Sequence, residues 1–600
     1  MKKIYRSLLL ASFLLFVLLS LILKKPLSAQ WVQTNGPYGG YIHCFAIQGK
    51  NIFAGTEGSG IFLSTDNGAS WTAVNSGLTS KNVYSLAISG TNIFAGTNGG
   101  VFLSPNNGAS WKLVNSALTN TYTFALAIKG ARIFAGTGNG VFIFTNNGTN
   151  WSVGNSGLTN IEVYSLAISG TNIFAGTEDG GVFLSADNGV SWRPVNSGLT
   201  NTQINSLAIS GATIFAGTFG GGVFLSTNNG TSWDEVNSGL TNKHLYSLAV
   251  SGTKIFAGTG DGVFLSTNNG TSWRKVNFGL TNTYVYSIAT SGANLFAGTN
   301  GGGVFLSTNN GISWKNINSG LINTHVGALV TSGTSVFAGT NGAGVFLSDN
   351  SGASWKAINS GLTNPYVFAL AVNGTKIFAG TNGGGVFLSA DNGASWTAVN
   401  SGLTNTHVYS LAVHEMNLFA GTLGGGVFLS TDNGASWHPV NSGLTNANVG
   451  SLAMSGNNLF AGTFGGGVFL STNNGASWTA VNSRLTNPQI FSLAASGTNI
   501  FAATPGAGVF LSTDNGTSWS PVNSGLINTQ INSLAATGRT IFAGTYNGGV
   551  FLSTNNGASW SAVNSGLTNI DVYSFVKSGS NIFAGTNGRG VWKRHCQEPQ

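Results

Sequence analysis

The 600-residue chain carries 24 Lys and Arg against 16 Asp and Glu, but five of the cations and none of the acids lie in the first 29 residues, so the remainder carries 19 minus 16, or +3. No basic stripe or cluster is left in that remainder, which excludes a nucleic-acid footprint and a nucleic-acid partner. Charged residues are 7% of the chain and Gly alone numbers 89, so solubility must come from neutral polar groups in a turn-rich surface.

At the N-terminus Lys2, Lys3 and Arg6 precede an apolar run over 7–23, and Leu27-Ser28-Ala29 supplies small residues before Gln30. This predicts a secretory signal, 1–29, cleaved after Ala29. An uncleaved anchor is the competing reading, because about seventeen apolar residues are at the short limit for a bilayer. No later segment is apolar for long enough to span, so no stable membrane span is expected after cleavage. The mature protein is expected to be secreted or held in the periplasm or cell envelope.

The rest of the chain is one repeat. Tryptophans at 71, 111, 151, 192, 233, 273, 314, 355, 396, 437, 478, 519 and 560 each end a box of the form S-T-D-N-G-A-S-W, spaced 40 or 41 residues apart. A period of this size signals a solenoid, a propeller or an array. One period, 83–120, holds four β-branched or aromatic runs, near 83–88, 92–95, 101–104 and 111–115, divided by Gly, Asn and Ser clusters. That is a four-stranded meander. Both faces of each strand are apolar, so each sheet must be covered on both sides. The small Ala87, Ala95 and Gly96 fit crowding near an axis, and the large Trp fits the outermost strand, which favours radial blades and an all-β propeller.

Counting first strands gives fourteen blades, whereas propellers typically have four to eight. Two tandem seven-bladed rings are therefore predicted, at 30–312 and 313–595 with a tail at 596–600, and one large ring is the alternative. In this partition the fourth strand led by Trp314 opens the second ring. The segment from Trp31 resembles a fourth strand with no box before it, and the chain stops after a third strand at 590–593, so the N-terminal strand can complete a blade. Cys44 and Cys596 admit two readings: a disulfide joining the ends, or a buried thiol and an unrelated tail thiol.

The box S-T-D-N-G-A-S-W resembles the Asp-box, or bacterial neuraminidase repeat, of pattern Ser-x-Asp-x-Gly-x-Ser/Thr-Trp, and its copies cover nearly the whole mature chain. The resemblance implies a propeller like those of sialidases, xyloglucan-hydrolysing glycosidases with two seven-bladed rings, sortilin-type receptors and a photosystem II assembly factor. These families differ in function, so the box does not name an activity. The resemblance also implies that the box is structural and remote from the ligand. The residues agree: Asn stands for Asp at 106, 146, 228, 268, 309, 473 and 555, and Asn accepts the same hydrogen bond but cannot act as acid or base.

Variation between repeats gathers in the loop joining second to third strand and in the loop leading into the next first strand. Both emerge at the edge opposite the box. On this variable face Phe219, Tyr284, Tyr366, Phe464 and Tyr546 are candidate stacking platforms, with drift at tolerant loop tips as the competing explanation. Glu57, Glu162, Glu178, Asp179 and Asp261 are its carboxylates in the first ring and Asp571 in the second, with Glu162, Glu178 and Asp179 forming the best candidate acid pair or cation site. Arg589 is a further binding candidate. Only Arg484 and Arg589 map near this face, so the arginine triad of a sialidase is missing. The scattered His residues have no ligand spacing, and neither a metal nor a cofactor is expected. The expectation is a noncatalytic scaffold that binds an extracellular glycan or protein at the variable face. The alternative is a glycoside hydrolase acting on a polysaccharide.

Overall fold

The computed structural model describes residues 30–34, 39–115, 118, 122–145, 150–159, 162–319, 322–568 and 570–595. The segment 1–29, Asn146 and Cys596 lie outside them. Among the described residues all elements are strands, arranged as fourteen four-stranded antiparallel sheets plus one short parallel pair. The second blade illustrates them all: Val83–Ser89, Asn92–Thr97, Gly100–Ser104 and Lys112–Leu113, each paired with the next.

The second strand, N-I-F-A-G-T in the second blade with Ile, Leu or Val at its second position in every copy, is buried from that residue onward, because adjoining blades cover both of its faces. Gly96 shows how close they come: a Cβ there would lie 2.8 Å from the carbonyl oxygen of Thr123, on the next blade's inner strand. The inner strand carries a β-bulge at its second residue in nearly every blade, as between Val83 and Ser85. A bulge turns its extra side chain away from the ladder.

The blades close into two rings of seven. The inner strand of the seventh blade, Val285–Ser291, packs on that of the first, Ile42–Gln48, and the fourteenth, Val572–Ser578, packs on the eighth, Val326–Ser332. Ser287 Oγ donates to the Ile42 carbonyl across the first closure and Ser574 Oγ to the Val326 carbonyl across the second, both at 3.2 Å.

The partition between rings differs from the sequence expectation. Lys315–Asn316, the strand led by Trp314, pairs with Gly303–Ser307 in its own hairpin and completes the seventh blade, so it does not open the second ring. The N-terminal Val32–Gln33 instead pairs with Val591–His595 and completes the fourteenth. The first ring thus runs from residue 39 to about 319, and the second combines 322–595 with 30–34. The hairpin wins because the box turn holds its third and fourth strands together locally.

That turn is a small hydrogen-bond network. In the first copy Ser64 Oγ donates to Asp66 and accepts from the Gly68 N–H, while Asp66 accepts from the Ser70 N–H at 2.9 Å and the Ser70 hydroxyl at 2.6 Å. Where Asn replaces Asp one bond reverses: Asn106 Nδ2 donates to Ser110 Oγ at 2.9 Å and the other contacts persist. A neutral amide closes the turn as well as a carboxylate.

The box tryptophan then fastens its blade to the preceding one. Trp111 Nε1 donates to the Val74 carbonyl and Trp71 Nε1, at the ring closure, to that of Ile317, each at 2.7 Å. In the eighth blade the preceding fourth strand is the N-terminal one, and Trp355 Nε1 donates to Thr34 Oγ1 at 3.1 Å. Cys44 carries a free, half-buried thiol in the first inner strand, and desolvation pushes its pKa well up.

Candidate functional site

Both variable loops do lie at one face of each ring. The loop after a second strand touches the loop entering the next blade, as in the bridge between Phe219 and His244 and the bond from the Gly220 N–H to the Lys243 carbonyl. The two rings meet edge to edge through these loops. Gly39–Gly40 pairs in parallel with Ile322–Asn323, and Ser59 Oγ donates to the Gly588 carbonyl. Asn282 uses one N–H on the Asn300 carbonyl, as its equivalents do within other blades, and the Gly342 carbonyl of the second ring also lies 2.7 Å from its Nδ2.

Beside this seam lies a cavity of about 720 Å³ lined by both rings: Tyr41, Glu57 and Lys81 from the first and Tyr546, Asn547 and Asp571 from the second. Its charged groups are perturbed in different ways. Glu57 Oε2 lies 3.3 Å from His43 Nε2, and this hydrogen bond holds the carboxyl below its usual range against a desolvation that works the other way. Burial raises Asp571, although the Asn547 N–H at 2.5 Å partly offsets this. Lys81 falls to about 8, first through burial and then through the nearby Arg589 cation. His325, deep in the seam, drops to about 4 because burial disfavours its charged form.

The remaining sequence candidates divide. Tyr546 is about half exposed and Arg589, whose Nη1 donates to Thr568 Oγ1 at 3.0 Å, sits close to this cavity. Tyr366 is packed in the seam, its hydroxyl 3.5 Å from the Asn300 carbonyl oxygen. Glu162 and Glu178 do come together, on the fourth blade and far from the seam. They share a side-chain hydrogen bond that raises Glu178, Tyr164 donates to Glu162 at 3.2 Å, and Asp179 adds a like charge. Asp261 is drawn aside into an exposed ion pair with Lys275 at 2.7 Å. Phe219 stacks on His244 with centroids 4.6 Å apart, and Phe464 folds against Tyr409 and Phe491. Tyr284 accepts from the Tyr246 hydroxyl at 2.7 Å. Several loop aromatics are therefore spent on neighbouring blades.

A second feature was not singled out from the sequence. At the mouth of the first ring a cavity of about 430 Å³ is lined by His43, Tyr84, Phe124, Tyr164, Asn205, Tyr246 and Tyr286, one residue from each of the seven blades. These are the bulge residues of the inner strands. Neighbouring rings touch nearly all the way round, with centroids 5.6 Å apart for His43 and Tyr84, 5.7 Å for Tyr84 and Phe124, 5.1 Å for Phe124 and Tyr164, 5.2 Å for Tyr246 and Tyr286 and 5.5 Å for Tyr286 and His43. Only Asn205 interrupts the circle. The recurrence of an aromatic at the second position of the inner strand was visible in the repeats; that this position faces the axis depends on the bulge. Among the described residues no group of three or more His, Cys, Asp or Glu could hold a metal ion, and no helix is long and apolar enough to cross a membrane.

The fold and seam define a tandem seven-bladed β-propeller with a polar cleft between its rings. The DUF6242 beta propeller domain matches residues 363–491. Among solved structures the chain is similar to an ancestral GH74 enzyme, with a TM-score of 0.66 at 18% identity over 95% of this chain and 100% of that one. It is also similar to the GH74 xyloglucanase from Xanthomonas campestris, with a TM-score of 0.63 at 16% identity over the same shares. PorZ, an essential bacterial surface component of the type-IX secretion system of Porphyromonas gingivalis, gives a TM-score of 0.54 at 14% identity over 94% of this chain and 87% of that one. At these identities the likeness is one of fold. No curated protein sequence matches this chain.

Proposed function

We propose that this chain is an exported, noncatalytic binding scaffold of the Asp-box type that holds an extracellular glycan or protein segment across the seam. The observation that carries this reading is the 720 Å³ cavity, where variable loops of both rings supply an exposed Tyr546, asparagine amides and charges of both signs. Such a lining suits a polar ligand that stacks one face on an aromatic ring and exchanges hydrogen bonds with amides and carboxylates. The likeness to a bacterial surface component agrees with export and does not establish it.

A second reading has its own support. Glu57 and Asp571 face one cavity from opposite rings, one carboxyl held low and the other raised. Environments that push two carboxyls apart are what a general acid and base require, and a glycoside hydrolase would use the pair across a sugar bond.

The test uses the full chain on a glycan array and in capture of extracellular proteins, together with reducing-end assays on polysaccharides. Tyr546→Ala is expected to weaken capture about tenfold, the effect of losing roughly 1.4 kcal/mol. Capture unchanged in Tyr546→Ala and in Lys81→Ala would remove the seam as the site. Release of reducing ends, abolished in Asp571→Asn and Glu57→Gln, would replace the scaffold by the hydrolase.

A further inference from the structure

We infer that the mouth of the first ring is a cup for an organic ammonium ion, bound among His43, Tyr84, Phe124, Tyr164, Tyr246 and Tyr286. This site is separate from the seam cavity and does not rest on the function proposed for it.

The polar groups of the cup are largely occupied. Asn205 Nδ2 donates to the Leu245 carbonyl at 2.8 Å, Ser247 Oγ accepts from the Ile288 N–H at 3.1 Å, and Ser287 Oγ donates to the Ile42 carbonyl. A ligand that needs many new hydrogen bonds, such as a sugar, finds few here. What remains open is a circle of π systems, whose negative faces attract a cation by about 0.5–1 kcal/mol each at an exposed site and by about 2 kcal/mol where water is excluded.

Charge points the same way. No Lys or Arg lines the cup. Carboxylates stand behind it on two sides: Glu57 beside His43, and Glu162 accepting from the Tyr164 hydroxyl with Glu178 and Asp179 adjoining. An anion would be repelled, and a neutral apolar group would gain nothing from these charges. A cation clothed in methyl or methylene groups meets both the aromatic wall and the acidic surround at small desolvation cost, because its charge is spread and weakly hydrated.

The second ring supplies an internal comparison. Its equivalent positions are Gly327, Phe368, Tyr409, Gly450, Phe491, Asn532 and Tyr573, so three members of the circle have no ring. Phe464 fills the gap at Gly450, where an added Cβ would lie 2.5 Å from its Cζ. The circle of rings is therefore interrupted at three positions there and at one in the first ring.

The experiment titrates the full chain at pH 8 with tetramethylammonium chloride, using neopentyl alcohol as the neutral analogue of similar shape and sodium chloride at matched ionic strength. Binding is followed by tyrosine fluorescence and by ligand-observed NMR. Saturable binding of tetramethylammonium alone is expected. It should weaken about three- to tenfold in Phe124→Leu, the loss of one cation–π partner, and survive in Tyr246→Phe, which keeps the ring. Should Phe124→Leu fail to fold, Tyr84→Leu takes its place. Lys81→Ala and Tyr546→Ala, at the seam, should leave the ammonium affinity unchanged. Absence of saturable binding, equal response to the neutral analogue, or undiminished affinity in the leucine variant would overturn the inference.

Discussion

The two rings share one repeat and differ at their mouths. In the first, six of seven bulge residues carry an aromatic or imidazole ring and nearly close a circle. In the second, Gly327 and Gly450 break it, His325 packs on Tyr573 with centroids 4.6 Å apart, and Phe464 turns inward onto Phe491. The rings also close differently: the first from one continuous stretch, the second only with the N-terminal strand. Repeats that keep apolar residues of similar size at buried strand positions can thus diverge at the bulge, since that side chain leaves the ladder. The blade packing and the lining of the mouth vary independently.

The largest test of this contrast removes residues 30–34. Trp31 is 1% exposed, and Thr34 bonds to the Val591 carbonyl and accepts from Trp355. Loss of the buried Trp alone costs about 3–5 kcal/mol. Calorimetry should show a destabilised second ring beside a first ring little changed, and an equal fall in both would mean the rings do not close as separate units.

A smaller effect comes from restoring the missing circle members. Gly450→Tyr drives its side chain into Phe464 and should cost about 1–3 kcal/mol, the usual price of overpacking, with recovery when Phe464→Ala is added. Gly327→Tyr should be tolerated, because the nearest atom to its new Cβ is the Val367 carbonyl oxygen at 3.8 Å. Denaturant melts of the three variants decide the matter.

The smallest effect concerns acid. Asp66, Asp187, Asp391, Asp432 and Asp514 are each lowered to about 2, first by the hydroxyl of the box serine four residues on. A carboxyl whose folded pKa is depressed stabilises above its unfolded value near 3.9 and loses that contribution as pH falls toward 2. The triple variant Asp391→Asn, Asp432→Asn, Asp514→Asn should therefore melt like the parent at pH 7 and show a shallower loss between about pH 4 and 2. These carboxylates are fully exposed, so solvent screening keeps the difference small. An equally steep loss would place the acid sensitivity outside the box.

Much of the fold was legible because the repeat states it thirteen times. The four runs per period, the small residues near the axis and the Asn-for-Asp exchange in the box all correspond to observed contacts. The site was legible only in part. Tyr546 and Asp571 at the seam and the pair Glu162 and Glu178 could be placed on the variable face, but their neighbours come from distant parts of the chain. The loop aromatics Phe219 and Phe464 read as free platforms and are instead stacked on adjacent blades. The repeat pattern places the Trp314 strand in the second ring and its pairing puts it in the first, since apolar patterning marks a strand without saying which edge it joins.

By itself the sequence determined the blade: a period of 40 or 41 residues, the order of small and large side chains within it, and a turn whose hydrogen bonds are local to eight residues. Only the tertiary structure decided which strand closes each ring, that Glu57 and Asp571 share one cavity, and that His43, Tyr84, Phe124, Tyr164, Tyr246 and Tyr286 meet around one axis. The physical reason is range. Turn bonds and strand alternation act between near neighbours and are written into every copy, whereas ring closure and the aromatic circle join residues up to several hundred positions apart, whose proximity exists only once all seven blades have packed.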